Sequence, residues 1–105
     1  MRQQVIQTTK WDKSWSPTEQ ELAQRMRDEG MEPTHWSNTA GTVYHAHTHD
    51  YHKVIYVVSG SLILGFPIIG EPTQLMAGDR LSLPAGIEHN AVVGDEGVLC
   101  LEGRL

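Results

Sequence analysis

From Thr34 to its end the chain runs in short alternating segments broken by glycine, proline or asparagine. This texture limits the fold more than any other feature. Side chains on a strand point alternately to opposite faces, so strict alternation over about four to eight residues marks a half-buried strand. "THWSN" ends at "NTAG". "TVYHAHTH" places Val43, His45, His47 and His49 on one face, with Thr42, Tyr44, Ala46 and Thr48 on the other. "KVIYVVSG" is β-branched and aromatic, and reads as a hairpin arm turning at "SGS" into "LILGF". Then come "QLM", the turn "AGD", "RLSLP", "AGIEHNAVV", the turn "DEG" and "VLCLEG". About eight short strands and no second helix indicate an all-β sandwich or barrel.

The first part of the chain is polar and carries helix punctuation. In "SPTEQELAQRMRDEGM", Ser16 is placed to cap, Pro17 suits the first helical position and Glu19 completes a Ser-x-x-Glu box. Leu22, Ala23 and Met26 make a narrow apolar stripe, and Gly30 is a natural stop. So narrow a stripe needs a larger body to pack on. Residues 1–33 therefore read as an arm and helix lying on a barrel of residues 34–105, in a single domain.

Composition excludes several functions. A formal charge of −5 and a pI near 5.6 leave no basic surface for nucleic acid or an anionic membrane. No apolar run approaches the roughly 18–20 residues that span a bilayer. "MRQQVIQTTKWDKSW" lacks the hydrophobic stretch of a secretory signal. Cys100 is the only cysteine, so no internal disulfide forms, which fits a reducing compartment; the expected location is cytoplasmic.

Four of the six histidines fall in "YHAHTHDYHK". On a strand, His47 and His49 would project to one face about 6–7 Å apart, close enough to converge on one ion. The bland alternative is a polar patch on a solvated strand. A third ligand has to come from elsewhere, and His89 is the only histidine in the second half of the chain.

The spacing around these residues favours the first through a resemblance. Gly41 is followed by five residues, His47, one residue, His49, three residues, Lys53, six residues and Gly60. Gly78 is followed by five residues, Pro84, one residue, Gly86, two residues and His89, and seventeen residues separate Gly60 from Gly78. This pair of patterns resembles the two signature motifs of the cupin superfamily, in the short spacing of its small single-domain bacterial members. The "GDRLxLPAGxxH" string resembles a group of small cupins with an N-terminal helix. The resemblance implies a jelly-roll, or double-stranded β-helix, barrel with one short helix. It also implies a metal site of His47, His49 and His89. A fourth ligand from His45 or His52 is a further reading of the residues themselves, and by alternation His45 is the better placed. Iron, manganese, nickel and zinc all suit such a site.

Two positions depart from the family pattern. Lys53 stands where the pattern has Glu, and Val93 where it has Asn. Three readings of Lys53 compete: an anchor for a substrate anion beside a three-histidine metal, a structural partner of Asp50 or Glu88, or an imine-forming amine. Cys100 alternates with Val98 and Glu102, so it either faces the cavity or is a buried, inert thiol. Trp36, Tyr44 and Tyr56 read as packing residues whose polar ends find partners. Val54, Tyr56 and Val58 are apolar opposite Lys53, Ile55 and Val57, so both faces of this strand need cover; a homodimer is expected. Two functions follow. One is a metal-dependent oxygenase or isomerase acting on a small anionic molecule. The other is a non-catalytic module that binds or senses a small ligand, with its metal structural or absent.

Overall fold

A computed structural model of the protein describes residues 5–105, so Met1–Gln4 of the arm lie outside the described residues. Seven strands and one helix follow in the order β1 (Gln7–Thr9), α1 (Glu19–Asp28), β2 (Thr34–Asn38), β3 (Val43–His47), β4 (Lys53–Gly65), β5 (Thr73–Met76), β6 (Arg80–Leu83) and β7 (His89–Arg104). β4 and β7 form the spine, and each changes neighbour along its length. The first half of β4 pairs with β6 and the second with β5. β7 pairs first with β3 and then with β2. One antiparallel sheet thus folds back on itself as a double-stranded β-helix, an all-β barrel as expected.

The two longest strands correct the expected turns. "SGS" does not reverse the chain: β4 runs through Gly60, and its register against β7 shifts on either side of that residue. β7 likewise stays paired across "DEG", its partner register jumping from Val93 to Val98. Both glycines take positive φ, and a Cβ on Gly60 would lie 1.9 Å from the Gly97 carbonyl oxygen. The backbones meet where a barrel has to bend, and only glycine allows both the conformation and the approach.

Helix α1 also starts later than its capping signal suggested. Thr18, not Ser16, is the cap, its Oγ1 accepting from the Glu21 N–H at 3.1 Å. Two overlapping capping boxes compete, and the one beyond Pro17 wins. The end is as expected: Gly30 takes φ +90° and Met31 N–H bonds back to the Met26 carbonyl. Leu22, Ala23 and Met26 bury themselves against Val54, Tyr56 and Leu101 on the outside of β4 and β7. For Val54 and Tyr56, the cover that suggested a second subunit comes from the chain's own helix.

Ahead of that helix, β1 adds an edge strand to β6 that the sequence did not announce. Buried Asp79 holds the following segment, accepting from Lys10 Nζ, the Trp11 N–H and the Met76 N–H. Inside the barrel, Ile55, Leu62, Leu64, Leu81 and Leu83 form the main core, and Cys100 is wholly buried among them. Burial, and after it the Glu102 carboxylate, push the Cys100 thiol up to about 12, so it is the inert thiol of the two readings.

Candidate metal centre

Three histidines meet at the inner end of β3. His47 is the last residue of that strand and pairs across the ladder with His89, the first residue of β7. His49 follows in the loop beyond β3. Its carbonyl accepts from the Gly86 N–H at 2.8 Å, which ties this loop to the "PAG" turn ahead of His89. The ring centroids lie 4.4–5.1 Å apart, and one ligating nitrogen from each residue falls within 4.8 Å of the others.

Hydrogen bonds aim two of these rings. His47 Nδ1 bonds the His45 carbonyl at 2.6 Å, and His89 Nδ1 bonds the Ile87 carbonyl at 2.9 Å. A carbonyl can only accept, so Nδ1 carries the proton in both and Nε2 keeps its lone pair, as metal-binding imidazoles require. His89 Nε2 is buried with no hydrogen-bond partner among the described residues. Such an orphan is costly unless something else occupies it. Burial lowers the pKa of His49, and the Lys53 ammonium lowers it further; burial also lowers that of His89. Both imidazoles therefore stay neutral and able to donate at neutral pH. Three imidazole donors suit a transition metal and not a hard, oxygen-seeking ion such as calcium.

The rings open into a cavity of about 300 Å³, walled by Ile55, Leu62, Leu64 and Ala91, with Trp36, Asn38 and Tyr44 also lining it. Lys53 and Glu102 are the cation and the carboxylate among its lining residues. Lys53 Nζ lies 3.1 Å from Glu102 Oε1 and 3.5 Å from His49 Nε2, and both charged side chains are more than four-fifths covered. Its partner is therefore Glu102, neither Asp50 nor Glu88. The ladder explains why: Ile55 opposes Glu102 and Lys53 opposes Arg104, so Lys53 and Glu102 are diagonal neighbours on the inward face.

The two reserve histidines stay out of the cluster. The register of β3 shifts between Tyr44 and His47, so strict alternation fails there. Tyr44 and His47 both line the cavity, while His45 lies in a separate outer depression with Val43 and Val92. His52 Nε2 is held by Ser82 Oγ at 2.7 Å. Tyr44 and Tyr56 find polar partners in Asn38 and Glu29, but Trp36 Nε1 is buried without one among the described residues. Glu102 is the site residue that spacing alone did not single out. Its alternation with Cys100 was the available signal.

Residues 34–102 match the Cupin domain family. No curated protein matches the chain. Among solved structures, a DUF861 family protein from Thermotoga maritima aligns with TM-score 0.67 at 16% identity, over 96% of this chain and 100% of that one. An RmlC-like cupin from Shewanella frigidimarina gives 0.59 at 26% identity, over 70% of this chain and 65% of that one. The polyketide cyclase RemF from Streptomyces resistomycificus gives 0.61 at 22%, over 70% and 54%.

Proposed function

The chain belongs to the cupin family, and from that premise we propose that His47, His49 and His89 hold a divalent transition-metal ion beside which a small anionic molecule binds. The observation that carries this reading is the donor set. Three imidazoles converge, two are fixed by backbone carbonyls with Nε2 left free, and one of those nitrogens is buried without a partner among the described residues. Iron, manganese, nickel or zinc all fit such donors, and the ion would supply Lewis-acid or dioxygen-binding chemistry.

The chain's own residues do the rest. Ile55, Leu62, Leu64 and Ala91 exclude water around the ligand's apolar part, which strengthens every polar contact made there. Lys53 turns Nζ toward the same space and orients an anionic group. The reaction class this supports is oxygenase or isomerase chemistry on a small carboxylate or sugar-like compound.

The Lys53–Glu102 pair favours a second reading. An ammonium already neutralised by Glu102 leaves no free carboxylate to accept a proton from substrate. A cupin in that state can bind a ligand without transforming it.

Metal content is the first measurement. Protein purified without a histidine tag is expected to hold a transition metal stoichiometrically after reconstitution, and His47→Ala/His49→Ala to hold none. A wild type that stays empty removes the basis of the proposal. Turnover of small carboxylates by the loaded protein, set against binding without turnover, then separates enzyme from binding module.

A further inference from the structure

We propose that Glu102 is the carboxylate of this metal site, supplied from β7 in place of the one that position 53 lacks, with Lys53 as its counter-ion. The pair would then set how tightly the three histidines hold a cation. This rests on the metal reading above and extends it to two residues outside the histidine cluster.

The geometry carries the argument. Lys53 Nζ lies 3.5 Å from His49 Nε2 and 3.1 Å from Glu102 Oε1, so it contacts both. An ammonium so close to the imidazole of a proposed ligand would repel an incoming cation if it stood alone. It is joined to a carboxylate whose side chain is only 18% exposed, in a cavity with mainly apolar walls. Charges are poorly screened in such a place, so compensation at short range matters. Among the described residues, Lys53 Nζ meets only Glu102 and His49, and the Glu102 carboxylate meets no donor but Lys53. The spare capacity at both ends faces the cavity. Were His49 Nε2 to hold the ion, Lys53 would lose that acceptor and its free N–H groups would be available to an oxygen of the bound molecule.

The consequence is a pair of opposite effects. Lys53→Met leaves Glu102 uncompensated and so attracts a cation. Glu102→Gln leaves the ammonium uncompensated and so repels one. The double variant removes both charges and returns near the start.

Zinc titration of metal-stripped, untagged protein at one fixed pH reads all three, beside the thermal midpoint of each metal-free protein. Lys53→Met is expected to tighten zinc binding about tenfold and Glu102→Gln to weaken it about tenfold. Lys53→Met/Glu102→Gln should lie within about threefold of wild type. If burying an unpartnered ammonium keeps Glu102→Gln from folding, the tightening in Lys53→Met and its loss in the double variant still carry the test. Single variants that bind zinc as wild type does, or that shift it in the same direction, overturn the inference and leave the metal reading standing. Wild-type protein that does not bind zinc overturns both.

Discussion

Each face of strand β4 meets a charged pair, and the two pairs are finished to different degrees. On the outer face, Glu29 at the end of α1 accepts from Arg80 through both carboxylate oxygens and from Tyr56 Oη at 2.6 Å. Arg80 also lies over the Tyr56 ring. Burial would raise the Glu29 carboxyl, but Arg80 and Tyr56 outweigh it and hold the pKa below its ordinary value. Burial and the same carboxylate push Tyr56 up to about 12. On the inner face and among the described residues, Lys53 meets only Glu102 and His49, and His89 Nε2 has no partner. A closed network holds a helix in place; an open one keeps capacity for something that arrives later.

The largest expected effect is on the open side. His89→Ala removes the buried donor, and zinc affinity should fall at least about 100-fold, beyond what loss of a supporting contact to a metal ligand causes. Arg80→Met on the closed side should leave zinc affinity within about twofold, since the two sites share no partner. Titration of both variants checks the contrast, and a large zinc effect from Arg80→Met would break it.

Stability should show the reverse. Arg80→Met leaves the Glu29 carboxylate, on a side chain 30% exposed, without its cation, and urea unfolding should register a loss of about 1.5–2 kcal/mol. Tyr56→Phe removes a single hydrogen bond to that carboxylate and should cost about 1–2 kcal/mol. Equal stability in wild type and Arg80→Met would mean the network does not hold α1.

What could be read from the sequence divides along the same line. The cluster of His47, His49 and His89 was legible through the resemblance of the glycine, proline and histidine spacing to the cupin motifs. The stripe of Leu22, Ala23 and Met26 was legible because helical periodicity is local. The Lys53–Glu102 pair was not, since it depends on the β4–β7 register, and that register shifts around Val57–Ser59 and Gly60–Leu62. Nor was the register shift in β3, which no glycine or proline between Tyr44 and His47 announces. The "SGS" and "DEG" segments misled for a related reason. Glycine marks a bend in a continuous strand as readily as a reversal.

Acid should separate the two faces in sequence. A free imidazole titrates near 6.5, and burial holds His49 and His89 below that when folded. As pH falls through about 6.5 the unfolded chain therefore takes up protons first. The metal-free protein should be fully stable above that value and lose stability below it, down to the lowered folded pKa values. Glu29 acts lower on the scale. Its contribution is complete above its ordinary 4.5 and is lost only as pH falls through its lowered folded value. Thermal midpoints against pH should show both losses, with His89→Ala shrinking the upper one and Glu29→Gln the lower.

The smallest effects come from the histidines the cluster leaves out, and they bear on the fold as much as on the site. His45 contributes its backbone carbonyl to His47 Nδ1, and that carbonyl survives any side-chain replacement. His45→Ala should therefore leave zinc affinity within about twofold and stability within about 0.5 kcal/mol. His52→Ala breaks the bond to Ser82 Oγ and should cost about 1 kcal/mol, again without changing zinc affinity. A tenfold loss of zinc binding in His45→Ala would mean that β3 keeps strict alternation after all. His45 would then share the face of His47, Tyr44 would leave the cavity, and the boundary between open and closed faces would have to be redrawn from β3 outward.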